Sequence, residues 1–325
     1  MSGTRNQNID AIKGVAILIV MVGHVLSWNY MQDGYLYDAI KVIQMPLFMM
    51  VSGYLCGMGR KVTDLPGYGR VMKKRALSYL VPFFFWIVLL HPAHPIANIV
   101  ETLFCLDKGL WFLMTLFLLT AMVYTAQLAG AKAGKYGKMV FWMVYLALTV
   151  LVVVQSFLGW EFLSPGLTRL YLPFYLVGYL AGEYKERLAR IPELGKDILC
   201  VLAASGLLYL VIRTDLQNVG TLLLLGRQIL ASFLGCYVVI YLVTLCPDGK
   251  GKRFLAWLGN YTLEIYVLHF HFATVLNQGK TYTLYSLEGV LFVLASFAVM
   301  SLITAVIIFV TKKSRILNFL LYGRF

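Results

Sequence analysis

The sequence predicts an all-α fold: a polytopic integral membrane bundle of about ten transmembrane helices with both termini in the cytoplasm. Three observations predict it. Hydrophobic residues make up 60% of the 325 residues and charged residues only 13%, with a mean hydropathy of +0.76. A soluble domain is nearer half apolar and about a quarter charged. Apolar runs of about 17 to 25 residues, the length that crosses a bilayer, recur along the chain. Lys and Arg gather in every second loop between those runs.

The expected spans lie near 11–28, 38–58, 76–93, 108–129, 138–159, 168–184, 197–213, 220–246, 254–276 and 286–311. The first opens on Asp10 and Lys13, and Ser27-Trp28-Asn29-Tyr30 is not a small-residue cleavage site, so it reads as a spanning helix rather than a signal peptide. The second contains Pro46, which removes a backbone donor, and the small pair Ser52-Gly53, which permits close helix approach. It reads either as a kinked packing helix or as a wall of a site. The third and sixth runs are short. The fourth carries Trp111-Phe112-Leu113, in keeping with an interfacial aromatic belt. The ninth contains Glu264, His269 and His271.

Loop charges set the orientation. Arg60, Lys61, Arg70, Lys73, Lys74 and Arg75 follow the second run; Lys132, Lys135 and Lys138 the fourth; Lys185, Arg187, Arg190 and Lys196 the sixth. Lys250, Lys252 and Arg253 follow the eighth, and Lys312, Lys313, Arg315 and Arg324 the tenth. The other side shows Lys108, Arg213 and Lys280. Positive loops stay inside, which places both ends in the cytoplasm and the chain in the cell's inner membrane. The net charge of +13 is therefore a topology signal, not a nucleic-acid footprint. The whole chain, 1–325, reads as one domain.

Five dispersed cysteines form no Cys-x-x-Cys motif and read as reduced, membrane-buried thiols. There is no Walker A motif, no His-Glu-x-x-His and no Gly-x-Gly-x-x-Gly, so neither a metal nor a permanently bound cofactor is expected. His91-Pro-Ala-His94-Pro reads as an outer loop.

Ionisable residues inside a bilayer are costly and mark candidate sites. Lys13 and His24 lie close to three helical turns apart, so they share a face and stand roughly 16 Å apart along the axis. Glu264 needs a partner in a membrane helix. His269 and His271 would face nearly opposite sides of a helix and so would not share a metal. Arg169 and Arg227 sit near span edges, where a guanidinium either snorkels to the interface or recognises phosphate, carboxylate or sugar.

The chain resembles the membrane acyltransferase family 3, which includes O-antigen O-acetylases and fucose 4-O-acetylase-like proteins. The resemblance rests on Lys13, ten positions and His24 within Asp10-x-x-Lys13-Gly14; on Met45-Pro46-Leu47-Phe48 with Ser52-Gly53-Tyr54; on Trp111-Phe112-Leu113; and on Leu258-Gly259 through Ile265-Tyr266 to His269. It runs the whole chain in order. Two departures stand out. Gln44 occupies a position before Met45 that is often histidine in the family. Arg75 has Ser78 where many members carry a second arginine.

The resemblance implies an acyltransferase that moves an acyl group, commonly acetyl from acetyl-coenzyme A, onto a hydroxyl of a cell-envelope or exported carbohydrate, free or lipid-linked. It implies His24, Lys13 and Asp10 as catalytic residues, and Lys13, Lys73, Lys74 and Arg75 as contacts to the acyl-CoA donor. Gln44, Ser52, Tyr54, Arg169, Arg227, Glu264 and His269 are the candidate substrate contacts. Membrane lipid is the surrounding partner, and homo-oligomerisation is left open. A transporter or exporter of a polysaccharide or lipid-linked sugar is the rival reading. It explains broken helices and buried charge equally well, but not the Lys13–His24 spacing.

Overall fold

The structure, a computed structural model, describes residues 6–32, 34–217 and 220–324. The extreme ends of the chain, expected on the cytoplasmic side, lie outside these residues. Regular structure among the described residues is helical, with no strand. In chain order the helices are α1 (Gln7–Trp28), α2 (Tyr35–Met58), α3 (Leu65–Leu90), α4 (Pro95–Phe104), α5 (Trp111–Lys132), α6 (Gly137–Phe157) and α7 (Pro165–Glu183). There follow α8 (Lys185–Ala189), α9 (Glu193–Arg213), α10 (Leu222–Leu245), α11 (Lys250–Leu258), α12 (Thr262–Leu268), α13 (Leu287–Thr311) and α14 (Arg315–Tyr322).

Seven helices among the described residues are long and apolar enough to cross a membrane: α1, α2, α5, α6 with the turn before it, α9, α10 and α13. The chain is a multi-pass membrane protein. Three of the expected runs differ from this pattern, each for a physical reason. Helix α3 begins well before the expected residue 76, because Asp64 caps it, its carboxylate accepting from the Gly67 backbone N–H, and a proline sits in the first turn. Arg70, Lys73, Lys74 and Arg75 are therefore helical, not loop, residues. Helix α7 carries Arg169, two prolines and three tyrosines, which lower its hydropathy.

The ninth run is not one rod. It breaks into α11, a 3-10 turn at Gly259–Tyr261, α12, and a second 3-10 turn at His269–Phe272. By contrast, Pro46 does not interrupt α2, which continues unbroken around it. Helix α4, in the loop carrying His91 and His94, and the terminal α14 are additions that hydropathy alone does not reveal. Ser314 caps α14 and Gly323, with φ of +61°, ends it in the left-handed conformation that glycine tolerates.

The described chain divides into two compact units. One takes the chain up to Val51 together with Tyr184–Val310; the other takes Ser52–Glu183 and the chain from Thr311 onward. The first holds α1, most of α2, α8 to α12 and nearly all of α13. Part of its core is Leu26, Met31, Tyr37, Ile40, Leu284 and Phe292, with Tyr282 stacked on Phe292 at 4.3 Å between ring centres. Between α9 and α10, the Tyr241 hydroxyl donates to Asp197 at 2.7 Å.

In the second unit the end of α2 packs backbone to backbone on α7: a Cβ added at Gly53 would lie 2.1 Å from the Tyr175 carbonyl oxygen. That is the close approach the Ser52-Gly53 pair suggested. A ladder of polar contacts ties α7 to α5 and to the loop after α2. Thr120 meets the Tyr175 hydroxyl at 3.0 Å, Gln127 donates to the Tyr179 hydroxyl at 3.3 Å, and Lys61 pairs with Glu183 at 2.7 Å. Trp86 Nε1 donates to the Leu321 carbonyl at 3.1 Å and fixes α14 on α3. The five cysteines form no disulfide; Cys56 and Cys236 are buried, but Cys105 and Cys246 are exposed rather than enclosed.

Candidate active site

The site is built on α1. Asn6 starts the helix by accepting from the backbone N–H groups of Asn8 and Ile9, and Asp10 lies in the first turn, where the helix dipole favours a negative charge. From Gln7 the helix runs unbroken to Trp28, so Lys13 and His24 keep their spacing of nearly three turns. Lys13 forms an ion pair with Asp10 at 2.6 Å, one turn back on the same helix.

Two glycines bring the ninth run against this helix. A Cβ at Gly14 would lie 2.0 Å from the Leu255 carbonyl oxygen, and one at Gly259 would lie 1.9 Å from the Asp10 carbonyl oxygen. Neither position has room for a side chain. Gly14 and Gly259, both within the sequence patterns that carry the family resemblance, are thus crossing points rather than chemical groups.

Beyond the crossing the broken segment delivers His269 to His24. His24 Nδ1 stands 2.8 Å from His269 Nε2. The rings are nearly parallel, 10° apart, with centres 4.8 Å apart. Nitrogens this close cannot belong to stacked faces, which need about 3.5 Å, so the rings meet edge to edge in a hydrogen bond. His269 is fully buried and its Nδ1 stands 2.7 Å from the Ile265 carbonyl oxygen. His24 is half-buried, and its Nε2 has no hydrogen-bond partner among the described residues. Phe270 packs edge-on against His24 and also meets Trp28.

Asn29 makes a second clamp. Its amide donates to the Val25 carbonyl at 2.7 Å and to the Ala273 carbonyl at 2.9 Å, and the residue is 1% exposed. A broken helix in a membrane needs such donors, because the bilayer offers no water to its backbone. Sequence reasoning passed Asn29 over. The signal available was an amide at the end of an otherwise apolar helix.

Of the other candidate substrate contacts, Gln44 packs against α1 at the residue before His24. Its Oε1 lies where a Cβ on Gly23 would be, within 2.2 Å, next to His24 in sequence, and it has no hydrogen-bond partner among the described residues. Glu264 is fully buried on α12, five positions before His269. Arg227 is exposed on α10. His271 shares the 3-10 turn with His269 and packs on the Phe270 ring at 3.9 Å.

The remaining candidates belong to the second unit. Lys73 and Lys74 are exposed on α3, and Arg75 beside them is half-buried and donates to the Tyr79 hydroxyl at 3.0 Å. Ser52 and Tyr54 are half-buried at the end of α2. Arg169 lies over the Phe157 ring at 4.8 Å, a cation–π contact.

Comparison with known proteins adds an independent line. A family model described as "Acyltransferase domain" matches residues 6–310. The nodulation protein NolL of Sinorhizobium fredii is 25% identical over 304 residues, covering 82% of this chain and 78% of the relative. The nodulation protein NolL of Mesorhizobium japonicum is 25% identical over 200 residues, covering 56% of this chain and 50% of the relative. No solved structure matches.

Proposed function

The chain belongs to the acyltransferase family matched across residues 6–310, and from that premise we propose that it moves an acetyl group from acetyl-coenzyme A onto a hydroxyl of a cell-envelope carbohydrate, with His24 as the base. The observation that carries the assignment is the half-buried His24 joined to the buried His269 inside a membrane-spanning helix.

An alcohol is a weak nucleophile until its proton is removed, and a positioned base supplies about 10²–10⁴-fold in rate. Histidine exchanges protons readily near neutrality. In this mechanism His24 Nε2 takes the proton of the acceptor hydroxyl, and the oxygen attacks the thioester carbonyl. A carbon–oxygen bond forms, the carbon–sulfur bond breaks, and His24 returns the proton to the departing thiolate. Gln44, with its unused amide oxygen beside Gly23, is assigned to the acceptor sugar; Glu264 and Arg227 of the same unit are further candidates for acceptor contacts.

The donor phosphates are assigned to Lys73, Lys74 and Arg75 on α3. Charge-assisted contacts to phosphate are among the strong ones. The inner membrane, with both termini cytoplasmic and about ten crossings, fits the loop charges and a cytoplasmic donor. The test is mass spectrometry of surface glycans from cells with the gene, without it, and with His24→Ala. Acetyl increments should vanish in the second and third. Acetylation by a correctly inserted His24→Ala protein would end the assignment of His24.

A further inference from the structure

His269 lies at the end of a run of two hydrogen bonds whose directions are fixed by what each atom can do. The Ile265 carbonyl oxygen can only accept, so the hydrogen of that 2.7 Å contact sits on His269 Nδ1. Enclosure selects the neutral ring, because an isolated charge in an apolar interior is costly. A neutral imidazole carries one ring hydrogen. His269 Nε2 therefore has only a lone pair to offer, and the 2.8 Å contact must take its hydrogen from His24 Nδ1. His24 is then the Nδ1–H tautomer, and its remaining lone pair is on Nε2.

We propose that His269 is a positioning residue: it accepts the Nδ1 hydrogen of His24, locks that ring in one tautomer and orientation, and so presents the Nε2 lone pair to the acceptor hydroxyl. This rests on the reading of His24 as the base. The second nitrogen of a histidine is routinely fixed by the hydrogen bond that the first one makes. Here the fixing group is another imidazole rather than a carboxylate. When His24 Nε2 takes up the proton, its Nδ1–H becomes a charge-assisted donor, and the bond to His269 strengthens as the transition state approaches. A proton leaves the hydroxyl and rests on His24; none moves on to His269, whose Nδ1–H goes on donating to the Ile265 carbonyl.

Two further contacts steady the pair of rings. The 3-10 turn at His269–Phe272 follows directly on α12, and Asn29 holds the Ala273 carbonyl just beyond it. Phe270 covers the edge of the His24 ring. The ring of His24 is thus held by two neighbouring residues of the broken segment, His269 and Phe270.

The test uses the intact protein in lipid nanodiscs, with acetyl-coenzyme A as donor and isolated envelope polysaccharide as acceptor. The chain has five histidines, few enough to assign in a spectrum of 15N-histidine-labelled protein. His24 is expected as the Nδ1–H tautomer in the wild type. His269→Phe should lower kcat by about a hundredfold or more with the KM for acetyl-coenzyme A unchanged, since the tautomer and not donor binding is lost. His269→Gln, whose side-chain oxygen can accept the same hydrogen, should recover much of the loss. A wild-type spectrum with the hydrogen on His24 Nε2 overturns the proposal, whatever the variants do, including a His269→Phe that fails to fold. So does a folded His269→Phe with normal kcat. Inactivity of His24→Ala alongside a normal His269→Phe would sink the positioning role alone, whereas an active His24→Ala would remove the base itself.

Discussion

The backbone of Asp10 and the α-carbon of Gly259 are in contact: a methyl group on Gly259 would lie 1.9 Å from the Asp10 carbonyl oxygen. The crossing of α1 with the broken ninth segment therefore tolerates no side chain on either strand of contact. Alanine at Gly259 would gain up to about 1 kcal/mol in helix propensity. Overpacking of this kind costs about 1–3 kcal/mol and sometimes more, and here the obstacle is backbone, so the clash wins. Gly259→Ala should lower the melting temperature in detergent and reduce acyl transfer, although residue 259 touches no reacting atom. Unchanged melting and activity would show that the crossing can open without consequence.

Asn29 should behave as a structural donor. Asn29→Ala removes two hydrogen bonds to buried carbonyls, at about 1–3 kcal/mol for groups left unpaired. The loss should appear as faster hydrogen exchange in the segment around Ala273, with a fall in kcat as His269 loosens. Exchange rates identical to the wild type would remove Asn29 from the account.

Much of this was legible in the sequence, and the boundary is physical. The Lys13–His24 spacing needed only the helical period, and the Asp10–Lys13 pair follows from the same period. Ser52-Gly53 foretold a tight helix approach correctly. The partner of His24 was not legible: it lies 245 positions away, and it arrives through a break in what hydropathy reads as one apolar run. Hydropathy averages over a window, so it registers neither Gly259 nor the two 3-10 turns. The basic residues of α3 were misread as loop for the converse reason. A capped helix can begin outside the apolar window.

Arg75 separates donor binding from chemistry. Loss of one charge-assisted contact to phosphate, about 1.5–3 kcal/mol, corresponds to a rise of roughly ten- to a hundredfold in the KM for acetyl-coenzyme A. Arg75→Ala should show that rise with little change in kcat, and Arg75→Lys a smaller one. A fall in kcat at constant KM would instead make Arg75 a structural partner of Tyr79.

Topology can be checked without activity. A reporter fused to the C-terminus should be cytoplasmic, and a tag placed near Gln278, between the second 3-10 turn and α13, should be external. The reverse result would move Lys73, Lys74 and Arg75 away from a cytoplasmic donor.

The unbroken run of α1 from Gly14 to His24 has a consequence for how this protein can vary. Each added residue in a helix turns everything beyond it by about 100°. One insertion between those two residues would keep the segment apolar and long enough to span, yet swing the imidazole away from His269. That stretch is fixed in length even where its side chains are interchangeable. The exposed stretch from Gln278 to Lys280 carries no such phase and is free to lengthen. Insertions and deletions are therefore excluded from this helix as firmly as a side chain is at Gly14.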